Sequence, residues 1–271
     1  MAIIQQDIQR AVQELALSNK PLCVHSSLRS FGWVEGGAQA IIDGLLAEGC
    51  TILVPTFTWW FSTLAPPHRR LLRNAYDYDR APAEWWEKER LYTPELTESS
   101  EDMGAIPRTI AALPGRVRGS HPLVSFSAVG PRARELVSAQ APHDAFAPLK
   151  ALIEMNGWVV LMGVALNRMT LLHLAEQSAG RNLFRRWARD ATGRPLEVEA
   201  DGCSEGFGKL EPILRPLLRE CCVGNGRWKV YPAQESMARA AEAIRDDPQL
   251  THCDDPMCDR CNDAVLGGPI L

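Results

Sequence analysis

Three histidines stand at the ends of apolar runs or just beyond them. They are His25 in VHSSL, His121 in SHPLVSF and His173 in TLLHLAE. In open α/β sheets, ligands bind outside the carboxyl ends of the strands. A histidine at such a place can act as a general base, but a single histidine can equally be a hydrogen-bonded structural residue.

His173 gains further support from Glu176. Their i, i+3 spacing puts both side chains on one face of a helix, where they can meet. A carboxylate beside an imidazole fixes its tautomer and raises its basicity, as a general base requires. No H-E-x-x-H segment supplies two helical histidines for a catalytic metal. The pair is therefore a stronger catalytic candidate than any single histidine, but the same spacing also occurs by chance in many helices.

The last 19 residues contain three cysteines, two of them in a C-x-x-C. Such a pair is a good half-site for tetrahedral zinc, and a further ligand must come from elsewhere in the chain. Cys203 in DGCSEGF is the best outside candidate. The predicted metal set is Cys203, Cys253, Cys258 and Cys261, with His252, Cys221 and Cys222 as substitutes. The alternative is that these are free thiols near a surface terminus.

An α/β pattern of elements positions these side chains. The apolar runs PLCVHSSL and TILVPTFTWW flank the helical stretch AQAIIDGLLAEG, which predicts a βαβ unit. WVVLMGVA is the most strand-like run, and TLLHLAEQSAG after it predicts a helix from about Thr170. The remaining predicted strands are SHPLVSFSAVG and RPLEVEA, and the remaining predicted helices are residues 3–18, GAIPRTIAALPG, PRARELVSA, EPILRPLLRECC and SMARAAEAIRDD.

Composition excludes several classes of protein. A hydrophobic fraction of 46% and a charged fraction of 23% over 271 residues are those of an ordinary soluble globular protein and not of a disordered one. The formal charge of -4 argues against a nucleic-acid partner. No apolar run approaches the roughly 20 residues that span a bilayer, and the first 22 residues lack the apolar core of a signal peptide. We therefore expect a cytoplasmic protein with no membrane partner.

Six segments, taken in order, resemble the aminoglycoside 3-N-acetyltransferase family: VHSSLRSFGWVEGGAQAIIDGLL, TILVPTFT, MGAIPRTI, LPGRVRGSHPLVSFSAVGP, GWVVLMGV and TLLHLAE. The likeness covers most of the chain. It implies an antibiotic N-acetyltransferase-like α/β fold, distinct from GNAT enzymes, with a central mixed sheet, flanking helices and a less regular C-terminal part. It also implies a single domain over residues 1–271 with acetyl-CoA as the donor.

The resemblance assigns roles to individual residues. It makes His173 the base that acts on the acceptor amine, with Glu176 supporting it or contacting the cationic acceptor. It places the HSSL and GG elements at the cofactor, and the HP element at the same cleft near the thioester. The residues concerned are His25, Ser26, Ser27, Leu28 and Gly37 for the first two elements, and Ser120 and His121 for the third.

Some positions depart from the family pattern. Residues 165–170 read ALNRMT where members often have G-H-D-x-N-T, and residues 146–149 read FAPL without the usual serine. Both departures concern donor binding and the identity of the acceptor. The cysteine-rich tail together with Cys203 is similar to a zinc-carrying branch of the family.

The expected acceptor is a small cationic amine, namely the 3-amino group of the 2-deoxystreptamine ring of an aminoglycoside. We expect direct acetyl transfer and a substrate-covering insertion over residues 61–102, followed by a C-terminal subregion over 195–271. Acidic and aromatic side chains near the insertion are suited to such an acceptor: Glu95, Glu98, Glu101, Asp102, Trp59, Trp60, Trp85 and Trp86. The acidic residues can equally form a solvated surface loop. The alternatives are a non-antibiotic amine from a biosynthetic pathway, a zinc-dependent hydrolase, or a non-catalytic binding module.

Overall fold

The apolar runs of the sequence form the strands of two sheets. The computed structural model describes residues 2–78 and 91–271. The described strands are β1 (Pro21–Ser26), β2 (Thr51–Pro55), β3 (Val117–Arg118), β4 (Phe126–Val129), β5 (Trp158–Met162), β6 (Phe184–Arg189), β7 (Pro195–Ala200), β8 (Arg219–Val223) and β9 (Gly226–Pro232). The described α-helices are α1 (Gln5–Glu14), α2 (Gly37–Ala47), α3 (Ala105–Ala112), α4 (Ala133–Val137), α5 (Ala147–Glu154), α6 (Leu171–Ser178), α7 (Glu211–Leu214), α8 (Ala233–Asp246) and α9 (Asp259–Val265).

The larger sheet has seven strands in the order β3-β4-β2-β1-β5-β9-β8. The central strand β1 is parallel to β2 and to β5, whereas β4, β9 and the two edge strands pair antiparallel to their neighbours. Strands β6 and β7 form a separate antiparallel pair. The α/β fold with a central mixed sheet is confirmed.

Alternating side chains of the central strands bury both faces of the large sheet. In β1, Leu22 and Val24 belong to the apolar cluster formed with α1, α2 and α3. Cys23 points to the opposite face, where the cluster contains side chains of α4, α5, α6, α7 and α8. Period-two alternation explains this division, since successive residues of a strand face opposite sides of the sheet. The sheet is thus covered by helices on both sides.

Two sequence predictions were too long. The SHPLVSFSAVG segment is a strand only from Phe126, because the His121 ring accepts the backbone N–H groups of Leu123 and Val124, at 3.2 and 2.9 Å. These amides therefore do not join a strand ladder. In EPILRPLLRECC, only Glu211–Leu214 is α-helical, and Arg219–Val223 is the edge strand β8.

The end of that segment is extended because it forms a hairpin with β9. Val223 pairs with Gly226 across a two-residue turn, and Gly224 in the turn has a φ of 58°. A glycine with positive φ is the residue that a tight hairpin favours. Strands β8 and β9 thereby carry part of the 195–271 subregion into the main sheet.

No α-helix among residues 2–78 and 91–271 has both the length and the apolar character needed to cross a bilayer. Trp85 and Trp86 lie outside the described residues.

Candidate active site

A cleft with a volume of about 1250 Å³ opens beside the ends of the parallel strands. Its walls include Ser26 at the end of β1, Pro55 at the end of β2 and Gly163 directly after β5. The carboxyl ends of parallel strands form the usual ligand site of an open α/β sheet. His173, in the first turn of α6, also lines this cleft.

His173 is buried and hydrogen-bonded to the glutamate one helical turn later. Its Nδ1 lies 2.9 Å from Oε2 of Glu176, so the ring donates there and Nε2 remains for the cleft. The ring is parallel to Phe146 with a centroid distance of 6.3 Å, and it meets the edge of Phe207 at 4.7 Å. The two aromatic rings and the carboxylate fix the orientation of the imidazole.

Glu176 is itself held by residues that sequence reasoning missed. Its Oε1 accepts a hydrogen bond of 2.9 Å from Thr251 Oγ1 and an ion-paired hydrogen bond from Arg181. Arg181 also donates to Thr251 Oγ1 at 2.7 Å and to the carbonyl of Pro248 at 2.6 Å. No spacing in the sequence indicates these contacts, since Thr251 is 75 residues from Glu176.

The electrostatic surroundings of His173 favour its protonated form. Burial by itself lowers the pKa of the imidazole, but the hydrogen bond and charge of Glu176 and the charge of Asp201 outweigh burial and raise the pKa above its ordinary value. Arg260 opposes this increase. A base with a raised pKa takes up a proton from an amine more readily.

His25 also lines the cleft, but its electrostatic surroundings favour the neutral imidazole. Burial, and secondarily the charge of Arg168, lowers the pKa of His25 to about 3. Its Nε2 is 3.6 Å from Sγ of Cys23, and burial raises the pKa of that thiol to about 12. The imidazole is therefore neutral and the thiol protonated near neutral pH.

The other residues of the predicted cofactor group divide into two sets. Ser26, Ser27 and Leu28 line the cleft beside His25. Gly37 is not among the described lining residues; it is the first residue of α2, with a φ of 60°. A close backbone approach occurs instead at Gly163, which was not predicted: its φ is 68°, and a Cβ there would lie 1.8 Å from Ser30 Oγ.

Ser120 and His121 are also absent from the described lining of the cleft, which differs from their predicted placement. Ser120 Oγ donates to the carbonyl of Gln140 at 2.7 Å. His121 is fully buried, and its Nδ1 accepts two backbone amides, so its proton resides on Nε2. Burial lowers the pKa of His121 to about 4. In these contacts Ser120 and His121 stabilise the local backbone.

Only some of the acidic and aromatic residues predicted for acceptor binding line the cleft. Glu101, Asp102 and Trp59 line it, together with Tyr76 and Asp201, which were not predicted. Burial raises the pKa of Asp201, and the positive charges of His173 and Arg260 oppose that rise. Glu95, Glu98 and Trp60 do not line the cleft within the described part of the chain.

Residues 202–206 read GCSEG, the G-x-S-x-G spacing of hydrolase nucleophiles. Ser204 lines the cleft, but its backbone is ordinary right-handed helical, with φ −105° and ψ −3°. A nucleophile elbow requires a sharp, strained turn. Over residues 2–78 and 91–271 no hydrogen bond joins the Ser204 hydroxyl to a histidine. The local geometry does not favour a serine nucleophile.

The structure brings the four predicted cysteines together. The sulfur atoms of Cys203, Cys253, Cys258 and Cys261 all lie within 4.8 Å of one another. In a tetrahedral zinc site with Zn–S bonds of about 2.3 Å, the sulfurs are about 3.8 Å apart. The donor set thus fits zinc after small inward shifts. Of the alternative ligands, His252 is next to Cys253, but its Nε2 is hydrogen-bonded to Asn262 and it is not part of the cluster. Cys221 and Cys222 lie on β8.

A sequence model described as aminoglycoside 3-N-acetyltransferase matches residues 23–245. The chain is 35% identical to aminoglycoside N(3)-acetyltransferase VIII of Streptomyces fradiae over 82% of each protein. It is 34% identical to aminoglycoside N(3)-acetyltransferase IX of Micromonospora chalcea over 65% of this chain and 63% of that relative. The crystal structure of the apoenzyme of aminoglycoside acetyltransferase AAC(3)-IVa superposes with a TM-score of 0.77 at 25% identity, covering 98% of both chains.

Proposed function

The chain belongs to the aminoglycoside 3-N-acetyltransferase family, and from that membership we propose that it transfers an acetyl group from acetyl-CoA to an aminoglycoside. The acceptor atom is the 3-amino nitrogen of the 2-deoxystreptamine ring. The observation that carries the proposal is the His173–Glu176 pair, at 2.9 Å, in a cleft at the carboxyl ends of the parallel strands.

His173 acts as the general base. An alkylammonium group must lose a proton before its nitrogen can attack a carbonyl carbon, and a positioned imidazole accepts that proton. Nδ1 of His173 is occupied by Glu176, so Nε2 takes the proton from the acceptor. The Glu176 carboxylate stabilises the imidazolium that forms, while Arg181 and Thr251 hold the carboxylate in place.

The donor binds at the side of the cleft formed by Ser26, Ser27 and Leu28. Hydroxyl and backbone N–H groups there can stabilise the oxyanion that develops on the thioester carbonyl. Three exposed arginines line the same cleft, and their charges attract the phosphate groups of coenzyme A. They are Arg29, Arg108 and Arg168. The volume of about 1250 Å³ exceeds the roughly 300–1,000 Å³ of typical ligand pockets and accommodates two substrates.

The acceptor binds where Glu101, Asp102 and Asp201 supply negative charge to the cleft. Carboxylates pair with the ammonium groups of an aminoglycoside, and the rings of Trp59 and Tyr76 cover apolar sugar faces. In this proposal the acceptor amine binds next to His173, which lines the same cleft as Asp201.

Transfer is direct. The acceptor nitrogen forms a bond to the thioester carbonyl carbon, the carbon–sulfur bond breaks, and the leaving thiolate takes a proton from the His173 imidazolium. Two observations support a route without an acetylated enzyme. Cys23, beside His25, has a pKa of about 12 and stays protonated, and Ser204 lacks the backbone of a nucleophile elbow.

The decisive experiment measures acetyl-CoA consumption with a panel of aminoglycosides and simple amino sugars. His173→Ala should lower kcat by about 10²- to 10⁴-fold, the usual contribution of a general base. His68→Ala is the matched control, because His68 is exposed and does not line the cleft. Equal rates for wild type and His173→Ala would contradict the role of the base. Acetylation of the simple amino sugars alone would contradict the acceptor assignment, and an acetylated enzyme formed with acetyl-CoA alone would contradict direct transfer.

We also propose that Cys203, Cys253, Cys258 and Cys261 hold one structural zinc ion. Four thiolates complete a tetrahedral shell and leave no position for a reacting water. Elemental analysis of purified protein should find about one zinc per chain in wild type and in Cys222→Ser, an exposed cysteine outside the cluster. Cys258→Ser should lose the metal, and full zinc retention by this variant would contradict the assignment.

A further inference from the structure

The C-x-x-C of the tail places a charged side chain in the cleft. Arg260 stands between Cys258 and Cys261, and it lines the cleft together with His173 and Asp201. We propose that metal bound at the four cysteines fixes Arg260 so that its guanidinium faces His173, which makes Arg260 a positioning residue that opposes the charges of Glu176 and Asp201 at the base. The inference rests on the proposed roles of His173 and of the cysteines.

The position of Arg260 depends on the backbone that carries it. Among residues 2–78 and 91–271, no hydrogen bond or ion pair to another side chain or carbonyl holds its guanidinium. Helix α9 begins at Asp259, so Arg260 lies in its first turn, with a cluster sulfur on each side of the residue. Ligation at Cys258 and Cys261 would fix the direction in which that turn presents its side chains.

A second contact joins the cluster to the base. Thr251, two residues before Cys253, donates to Oε1 of Glu176 at 2.9 Å. A small pocket between the cluster and the helix of the base is lined by Glu176 and Thr251 on one side and Cys203, Arg260 and Cys261 on the other. The tail from Thr251 to Cys261 therefore contacts Glu176 through Thr251 and lines the cleft beside His173 through Arg260. Cys253, Cys258 and Cys261, which would hold the metal, belong to this same segment.

The charges that face His173 determine what Arg260 does. Glu176 on its own helix and Asp201 after β7 both stabilise the imidazolium, and Arg181 is paired with Glu176. Arg260 is the opposing charge from α9. Arg181 pairs with Glu176, and the charge of Arg186 acts on Asp201, but Arg260 is the cation whose charge opposes protonation of His173. Loss of that charge favours the protonated imidazole, which cannot accept a proton from the acceptor. Arg260 keeps a larger fraction of the base in its neutral form.

The test is a four-state comparison of wild type and Arg260→Ala, each with metal bound and after metal depletion. The readout is the NMR titration midpoint of the Cε1–H signal of His173, identified by its loss in His173→Gln. With metal bound, Arg260→Ala should shift the midpoint upward, and Arg260→Lys should remain near wild type. After depletion, wild type and Arg260→Ala should have the same midpoint. Wild type and Arg260→Ala are compared within one metal state, so the charge of the cluster affects both midpoints equally and cancels in their difference.

Asp259→Ala is the matched control, since Asp259 lies in the same turn and does not line the cleft; it should leave the difference between metal states unchanged. Equal shifts by Arg260→Ala with and without metal would show that the metal does not position Arg260. No shift in either state, or no metal at the cysteines, overturns the proposal as well. The midpoint is read without turnover, so a chain that acetylates no amine contradicts the proposed function and leaves this comparison intact.

If metal depletion unfolds the chain, a measurement on the metal-bound protein tests whether Arg260 is held in one position. The ¹⁵N Nε–H signal of Arg260, identified by its loss in Arg260→Lys, should have an order parameter near that of rigid backbone, about 0.85. A value below about 0.6, typical of flexible groups, overturns the proposal.

Discussion

At the scale of the residue, the proton affinity of His173 is governed by the carboxylate of Glu176. The carboxylate accepts from Nδ1 at 2.9 Å and raises the pKa of the imidazole. In Glu176→Gln the negative charge is lost and the pKa of His173 falls. We expect the acid limb of the profile of kcat/KM against pH to move to lower pH, while the maximal rate decreases because the imidazolium loses its counter-charge.

The measurement is a set of initial rates over the pH range in which the protein stays folded. Asp259→Ala, which changes one exposed carboxylate away from the cleft, should keep the wild-type limb. A limb at unchanged pH in Glu176→Gln would mean that another group controls the acid side of the profile.

His121 gives a prediction about stability. Its folded pKa is about 4, compared with an ordinary value of 6.5. Between these values the unfolded chain binds the proton and the folded chain does not, so the free energy of unfolding decreases as the pH falls from 6.5 to 4. The shift corresponds to about 3 kcal/mol, at about 1.4 kcal/mol per pKa unit.

His121→Asn separates this titration from the hydrogen bonds of the ring. The Asn Oδ1 can accept the backbone amides of Leu123 and Val124 but does not titrate. Urea unfolding at pH 7 and pH 5 should therefore show a smaller acid-induced loss in the variant than in wild type or in the exposed-site control His68→Asn. Parallel losses in all three proteins would contradict the role of His121.

At the scale of the element, the loop after β5 shapes the floor of the cleft through one glycine. Gly163 has a φ of 68°, and a Cβ would lie 1.8 Å from Oγ and 2.3 Å from Cβ of Ser30. Ser30 in turn donates to the carbonyl of Ser27 at 2.7 Å. Gly163→Ala must displace this turn, so we expect a loss of stability of about 1–3 kcal/mol together with weaker acetyl-CoA binding.

Gly193→Ala is the control for backbone strain alone. Gly193 also has a positive φ, of 84°, but no atom lies within 4 Å of the position that a Cβ would take, so only a conformational cost of about 1–2 kcal/mol applies. Calorimetric titration with acetyl-CoA and urea unfolding measure the two effects. Unchanged acetyl-CoA affinity in Gly163→Ala would show that the turn does not contribute to donor binding.

At the scale of the whole molecule, we propose that residues 1–271 form one cooperative unit despite the irregular C-terminal subregion. Strand β9 pairs with β5 from Trp158↔Pro232 to Met162↔Trp228, and α8 packs against α6. Removal of the subregion would expose the centre of the sheet and the helix that carries His173. Far-UV circular dichroism and tryptophan fluorescence should therefore report coincident thermal transitions, and two separated transitions would contradict a single unit.

Local signals in the sequence predicted much of the fold. Long apolar runs such as WVVLMGVA and the helical spacing of TLLHLAEQSAG depend on a few neighbouring residues, and they became β5 and α6. Elements whose extent depends on distant contacts were predicted less well. Strand β4 is shortened by the ring of His121, and β8 exists because β9 pairs with it.

The sequence by itself determined the His173–Glu176 contact, because three residues on a helix span a fixed distance, and it singled out the cysteines by type and spacing. Only the tertiary structure decided which groups surround them. Thr251, Asp201 and Arg260 are far from His173 along the chain, and folding brings their charges and hydroxyls to the cleft. Folding also buries His121, and Nδ1 of its ring accepts two backbone amides, so His121 is not among the described residues that line the cleft. Proton affinity depends on three-dimensional distance, and sequence spacing specifies that distance only within a single helix or strand.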